Sequence, residues 1–504
     1  MSRHHRLLRL VGPRFAAVLA VALALAPGAG CKKRAARTTG AHRDAAAARG
    51  KQPAPALAFM EDDYQAARDR ARREGKALFV DAWAHWCHTC LSMQHYVLSQ
   101  PALAPLAERA VFVAIDTEKP GAAPFLARFP VEAYPTFFVI DPEAEAVVGR
   151  WLGSATVDQM KTFVEASAAL AAGDVALDGS DGGMSSDPAA ELARGMRLAT
   201  GKDFAGAVAA YRHALELAPR AWPRRTEVLI SLIQALFKAG DHPGCVDLAL
   251  KEGVALGISS LAADFTSYAL ECADGLPDDD ARKAQVRSEA ATRLARLTSD
   301  PRAPLSADDR GDAFAILAEA RTALGDATGA RRAHEARVEL LELAASQAPD
   351  AEAASTYNNA LADSYIELGR GEQAVAMLEK SEAALPGHYD PPARLARVYF
   401  KLGRHIEARA AIDRTLALAY GPRRLGYLKL KGEILTAMGE QAAALAVLRE
   451  EVAGYAALPA GQKRPTGEAA AQKRLADAEA AAQGGGKGKA GGAGGGDKGK
   501  PVQK

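Results

Sequence analysis

Ala77-Leu78-Phe79-Val80-Asp81-Ala82-Trp83-Ala84-His85-Trp86-Cys87-His88-Thr89-Cys90 decides how this 504-residue chain is read. The apolar run from Ala77 to Val80 predicts a buried strand that delivers two cysteines to a turn. Cysteines two residues apart can close a disulfide within one helical turn and open it again. A helix N-terminus at that turn offers unpaired backbone N–H groups and the positive end of a dipole, which favour the Cys87 thiolate. The spacing alone is ambiguous, because zinc sites and haem attachment share it.

The context narrows the choice. Val111 to Asp116 predicts the next strand, and Ala133-Tyr134-Pro135-Thr136-Phe137-Phe138-Val139-Ile140-Asp141 a central one. A proline opening a strand is awkward, since it cannot donate to the ladder. Val147 to Gly153 and a helix from about Val157 to Ala169 follow. Over residues 60–170 these elements, in this order, resemble the thioredoxin fold, which implies an α/β thioredoxin domain at 59–170. On that resemblance Asp81 is the buried carboxylate, Trp83 and Trp86 occupy the two tryptophan positions, and Pro135 is the cis-proline packed against a Cys87–Cys90 disulfide. Cys87 would then attack a substrate disulfide, Cys90 resolve the intermediate, and Asp81 take the Cys90 proton. Tyr134 and Pro135 would present backbone to the substrate.

The chain departs from a housekeeping thioredoxin in ways that affect tuning. His88-Thr89 stands between the cysteines where that family has Gly-Pro, and Phe112 stands where a buried lysine would face the carboxylate. His88, Thr89 and Trp86 are therefore the redox-tuning candidates, a protonated His88 making the pair more oxidising. From Cys90-Leu91-Ser92-Met93 to Leu98-Ser99-Gln100-Pro101-Ala102-Leu103 the chain is more similar to the C-terminal domain of periplasmic thiol–disulfide interchange reductases.

The N-terminus agrees with export. Arg3, Arg6, Arg9 and Arg14 precede or open an apolar run from Phe15 to Ala26, and Pro27-Gly28-Ala29-Gly30 leads to Cys31. This reads as a secretory signal over 1–30, too short to span as a helix. The cysteine behind Gly-Ala-Gly resembles a bacterial lipobox, which implies lipidation at Cys31 and a place on the periplasmic side of the cell envelope, which membrane being open. Gly28 departs from the usual leucine, and the alternative is cleavage nearby with Cys31 left as a free thiol. Residues 31–58 read as a tether, 171–189 as a polar linker, and 459–504 as a helical remnant with a Gly/Lys tail too poor in apolar residues to fold.

The chain is 49% hydrophobic but only 6% aromatic, which suits Ala- and Leu-rich helices. Gly369 and Gly403 lie 34 residues apart, each four residues after a tyrosine (Tyr365, Tyr399) and five before an alanine (Ala374, Ala408). Large apolar residues, Leu378 and Ile412, come four further on. This resembles the tetratricopeptide pattern, with a second good match around Gly195, Ala207, Tyr211 and Pro219 and weaker ones around Gly240, Gly325 and Gly439. Six units and an irregular helical pair at 253–305 predict an all-α solenoid over 190–458, whose concave face would bind a peptide or protein. The alternative is a spacer.

Two side questions stay open in the sequence. Cys245 takes a small-residue position, which favours packing, but an oxidising compartment also permits a Cys245–Cys272 bridge. His85, His88 and His95 accompany the cysteines, so a metal site competes with redox chemistry; Asp81 has a role only in the latter, and no cofactor or metal is expected. His85 and His95 are expected at the surface. A net charge of +2 leaves no electrostatic footprint for nucleic acid. The reading is an exported, lipid-anchored protein-disulfide oxidoreductase with a partner-binding array, drawing electrons from a membrane or periplasmic donor. The alternative is a scaffold whose thioredoxin domain only binds.

Overall fold

Two runs with no polar face, Ala77–Trp83 (β2) and Ala110–Asp116 (β3), are buried almost throughout and sit at the centre of a sheet, as parallel strands covered on both sides must. A computed structural model describes residues 57–173 and 184–485. The expected signal, Cys31, almost all of the 31–58 tether, most of the 171–189 linker and the tail from 486 lie outside them. Phe59–Glu61 (β1), Thr136–Asp141 (β4) and Ala146–Leu152 (β5) complete five strands in the order β1-β3-β2-β4-β5. β1, β3 and β2 are parallel, β4 runs antiparallel to β2, and β5 antiparallel to β4. Helices Tyr64–Glu74 (α1), His88–Ser92 (α2), Ala123–Arg128 (α3) and Val157–Ala171 (α4) surround the sheet. Thr156 and Gln159 close a capping box that starts α4.

Register corrects one expectation. Asp81 pairs with Ala114, while Phe112 lies two residues away opposite Phe79. The β3 residue beside the carboxylate is therefore a small one, and Phe112 belongs to an aromatic cluster with Phe59 and Phe79.

From Pro188–Thr200 (α5) onward the described chain is helical, in antiparallel pairs. Gly240, Gly325, Gly369, Gly403 and Gly439 each join the two helices of a pair with φ between 72° and 79°, a left-handed turn that a side chain would resist. Gly195 serves differently: a Cβ there would enter the Tyr211 ring. The irregular pair is Ser260–Asp274 with Arg282–Ser299. Cys245, in the helix before it, bridges Cys272, their Cα atoms 6.1 Å apart, so the packing reading of Cys245 gives way to a disulfide between neighbouring helices.

The first helices of successive pairs turn toward the sheet domain. α5 lies on β5. Lys238, in Arg225–Ala239, donates to Glu132 at 2.7 Å. The Tyr96 hydroxyl donates to the Ala353 carbonyl at 3.3 Å, and its ring stacks on Tyr357. Gln462 donates to the carbonyls of Thr117 and Lys119 at 2.8 and 3.0 Å. Gly421 adopts φ 62° against the backbone of Glu118, where a Cβ would fall on the carbonyl oxygen. The array thus packs along the sheet domain from α5 to Gln462, because both carry matched charges and aromatic rings where they meet.

Candidate redox site

β2 ends at Trp83, and Cys87 caps α2 with φ −88° and ψ 101°. Its Sγ accepts the Cys90 N–H at 3.0 Å, one of the amides that a helix start leaves free. A π-helical turn over Met93–Leu98 continues α2. Cys87 and Cys90 are joined in a disulfide, Cα atoms 5.2 Å apart, and are 5% and 1% exposed. Ala84, Trp83, Trp86 and Tyr134 pack around them. The Tyr134–Pro135 peptide is cis, and Pro135 is buried. The Tyr134 hydroxyl lies 2.8 Å from Thr117 Oγ1, which fixes the ring that packs edge-on against Trp86.

Asp81 is 1% exposed. Burial away from water pushes its carboxyl up to about 7, against which a hydrogen bond from Gln94 Nε2 to Oδ2, at 3.2 Å, works in the opposite sense. Oδ1 has no partner among the described residues. This carboxyl can exchange a proton near neutral pH. Gln94 was not legible as a site residue: it lies thirteen positions downstream, in the π turn that follows α2.

The three histidines part company. His85 keeps 33% of its side chain exposed, but its other side packs edge-on against Trp83, His388, Tyr389 and Tyr420, and burial lowers its basicity. His95 is half-buried beside Tyr96. His88 Nδ1 meets Asp308 Oδ1 at 2.9 Å, across the chain in the helix Ala307–Ala323. Thr89 Oγ1 lies 3.5 Å from the same nitrogen. Among the described residues, the acids gathered around His88 are Asp308 and Asp312, and neither His85 nor His95 joins them.

Trp86 is held from both sides of the seam. Its indole N–H donates to Glu118 Oε1 at 3.2 Å, the Arg423 guanidinium lies over its ring at 4.4 Å, and Arg394 Nη2 donates to its carbonyl at 3.2 Å. The Arg423 backbone N–H donates to Glu118 Oε2 at 2.5 Å, and the Tyr420 hydroxyl to Asp116 Oδ2 at 2.5 Å. Burial raises the Glu118 carboxyl, and the Arg423 amide and the Trp86 indole counter it. The sequence reading missed every array residue in this list. One signal was available: Tyr389, Tyr420 and Tyr427 cluster in a chain with few aromatics.

A thioredoxin-like family model matches residues 59–142, and a tetratricopeptide-repeat model residues 365–431. A thioredoxin H-type from Oryza sativa subsp. indica is 30% identical over 115 residues, 22% of this chain and 86% of that protein. Among solved structures, a tetratricopeptide repeat protein from Parabacteroides merdae covers 52% of this chain and 91% of its own at 13% identity and TM-score 0.36. The assembly chaperone of RpL4 covers 59% and 99% at 19% identity and TM-score 0.29. With the five-stranded sheet, the capping disulfide and the paired helices in place, the chain belongs to the thioredoxin family and carries a tetratricopeptide-repeat array behind its thioredoxin domain.

Proposed function

We propose that this protein is a thiol–disulfide oxidoreductase acting on protein disulfides from the periplasmic side of a bacterial envelope. One observation carries the chemistry: a buried Cys87–Cys90 disulfide at a helix start, with an orphaned Asp81 carboxylate oxygen on the strand that leads to it. In the reduced protein the Cys87 thiolate attacks one sulfur of the substrate disulfide. That bond breaks, a mixed disulfide forms, and the second substrate sulfur leaves as a thiolate. Asp81 takes the Cys90 proton, and the Cys90 thiolate attacks Cys87 Sγ. The Cys87–Cys90 bond closes as the mixed disulfide breaks, and the substrate sulfur that Cys87 first attacked departs as a thiolate and is protonated. A dithiol protein then returns two electrons to the pair.

With Cys87 and Pro135 buried, a client reaches the site when the seam around Trp86 opens. The array is then the recruiting part: tetratricopeptide repeats commonly bind proteins, and a client held on it stands at high effective concentration near Cys87. Lipidation at Cys31 would hold the assembly at a membrane, the Lys32-Lys33-Arg34 cluster adding a second, electrostatic attachment.

Cys90→Ala should accumulate covalent complexes with client proteins, seen as bands lost on reduction, and Cys87→Ala should trap none. Equal trapping by both would reverse the assignment of nucleophile and resolver. The Asp81 carboxyl is raised in the fold above its unfolded value, so its protonation stabilises the fold at low pH. That contribution is lost as pH rises toward and through 7, by up to about 4 kcal/mol at about 1.4 kcal/mol per unit. Asp81→Asn should thus unfold at higher urea than the parent at pH 8, with the gap closing at pH 4, and should slow insulin-disulfide reduction. Cys31→Ser should move the protein from the membrane fraction to the soluble periplasm; unchanged partitioning would refute the anchor.

A further inference from the structure

The histidine between the active-site cysteines is gripped by the array, not by its own domain. His88 Nδ1 and Asp308 Oδ1 are 2.9 Å apart, and the Asp308 side chain is 1% exposed. Asp308 lies in the first turn of a 17-residue helix, where free N–H groups and the helix dipole favour a carboxylate. Its second oxygen, Oδ2, has no hydrogen-bond partner among the described residues, so His88 is the cation that compensates it. One atom each from His88, Asp308 and Asp312 lie within 4.8 Å of one another. The groups facing His88 are Asp308 and Asp312 from that helix, Arg394 from Asp390–Lys401, and Thr89 from its own turn, with Cys87 its chain neighbour. Two carboxylates against one guanidinium leave the balance in favour of a charged imidazole.

We propose that Asp308 is a positioning residue of the redox site: the array, through this carboxylate, keeps the His88 ring turned away on its Nδ1 side and charged, and so sets how Cys87 responds to pH. The inference rests on the oxidoreductase reading above. Burial opposes the charge on His88, but Asp308 and Asp312 outweigh it, and the imidazolium is pushed up to about 9. At neutral pH the ring therefore does not titrate, and its positive charge is matched by the carboxylates around it. A bare histidine at this position would instead gain and lose charge between pH 5 and 8 and swing the thiolate with it. The domain's redox behaviour is thus steadied against pH by a residue some 220 positions away in sequence.

The test uses the full chain labelled at histidine Cε1, with His88→Gln to assign the signal. His88 should show no titration between pH 5 and 8 in the parent, and Asp308→Asn should bring its midpoint inside that window. Asp308→Glu should restore most of the upward shift. The equilibrium of Cys87–Cys90 with glutathione, followed over the same range, gives the second reading. Relative to the parent, Asp308→Asn should become more oxidising as pH falls from 8 to 5, by about tenfold in the equilibrium constant, or about 30 mV for this two-electron couple. Titration of His88 within the window in the parent, or identical pH profiles in parent and variant, would overturn the proposal. A parent that exchanges with glutathione but does not reduce insulin would instead remove the client-disulfide reading and leave the role of Asp308 to be decided by the titration.

Discussion

Asp116 and Glu118 are 0% and 2% exposed at the end of β3, and buried carboxylates must find donors or cost several kcal/mol each. Within the sheet domain they find only part of what they need: the Glu118 amide and the Trp86 indole. The remaining donors, the Tyr420 hydroxyl and the Arg423 amide, come from the array. The same short segment presents the carbonyls that Gln462 caps and the backbone that only a glycine at 421 can approach. Removing the array would leave these groups buried without partners or expose Trp86 and Tyr96 to water. Docking of the array on the sheet domain is in this sense a condition of how the redox turn is built.

From that constraint the character of the site follows. Thioredoxin-type chemistry needs a thiolate at a helix start, a proton acceptor beneath it and a backbone edge beside it, and β2, α2 and the cis-proline turn supply these locally. The flanking groups that tune such a site are supplied from a distance. Arg423 lies over Trp86, Arg394 holds its carbonyl, and Asp308 holds His88. A histidine in the active-site turn is therefore not a free pH sensor in this chain, and the disulfide is not an open target. Access and tuning are both properties of the seam.

The thioredoxin half was legible because its information is local and ordered: an apolar strand, the cysteine pair, Pro135 and the strands around it lie in fixed succession. The repeat half was legible through its glycines, since each left-handed turn at Gly240, Gly325, Gly369, Gly403 and Gly439 requires one at a regular place. The seam was not. Asp308, Arg394, Tyr420 and Arg423 occupy positions that a helical pattern treats as polar or tolerant. Nothing in their spacing says that they face Cys87 and not solvent. The ring contacts of His85 were hidden for the same reason, these aromatic neighbours lying some 300 residues away. Register was the other blind spot, since a two-residue offset between β2 and β3 put Ala114, not Phe112, beside Asp81.

The docking claim is tested most directly by the reactivity of Cys87. After reduction, the full chain would be treated with iodoacetamide at a pH where the Cys87 thiolate is formed, and compared with Gly421→Val, whose side chain collides with the Glu118 backbone at the seam. Modification of Cys87 should be slow in the parent and at least about tenfold faster in the variant, provided that circular dichroism shows both halves still folded. Equal and rapid modification of the two proteins would mean that the array does not cover the redox turn.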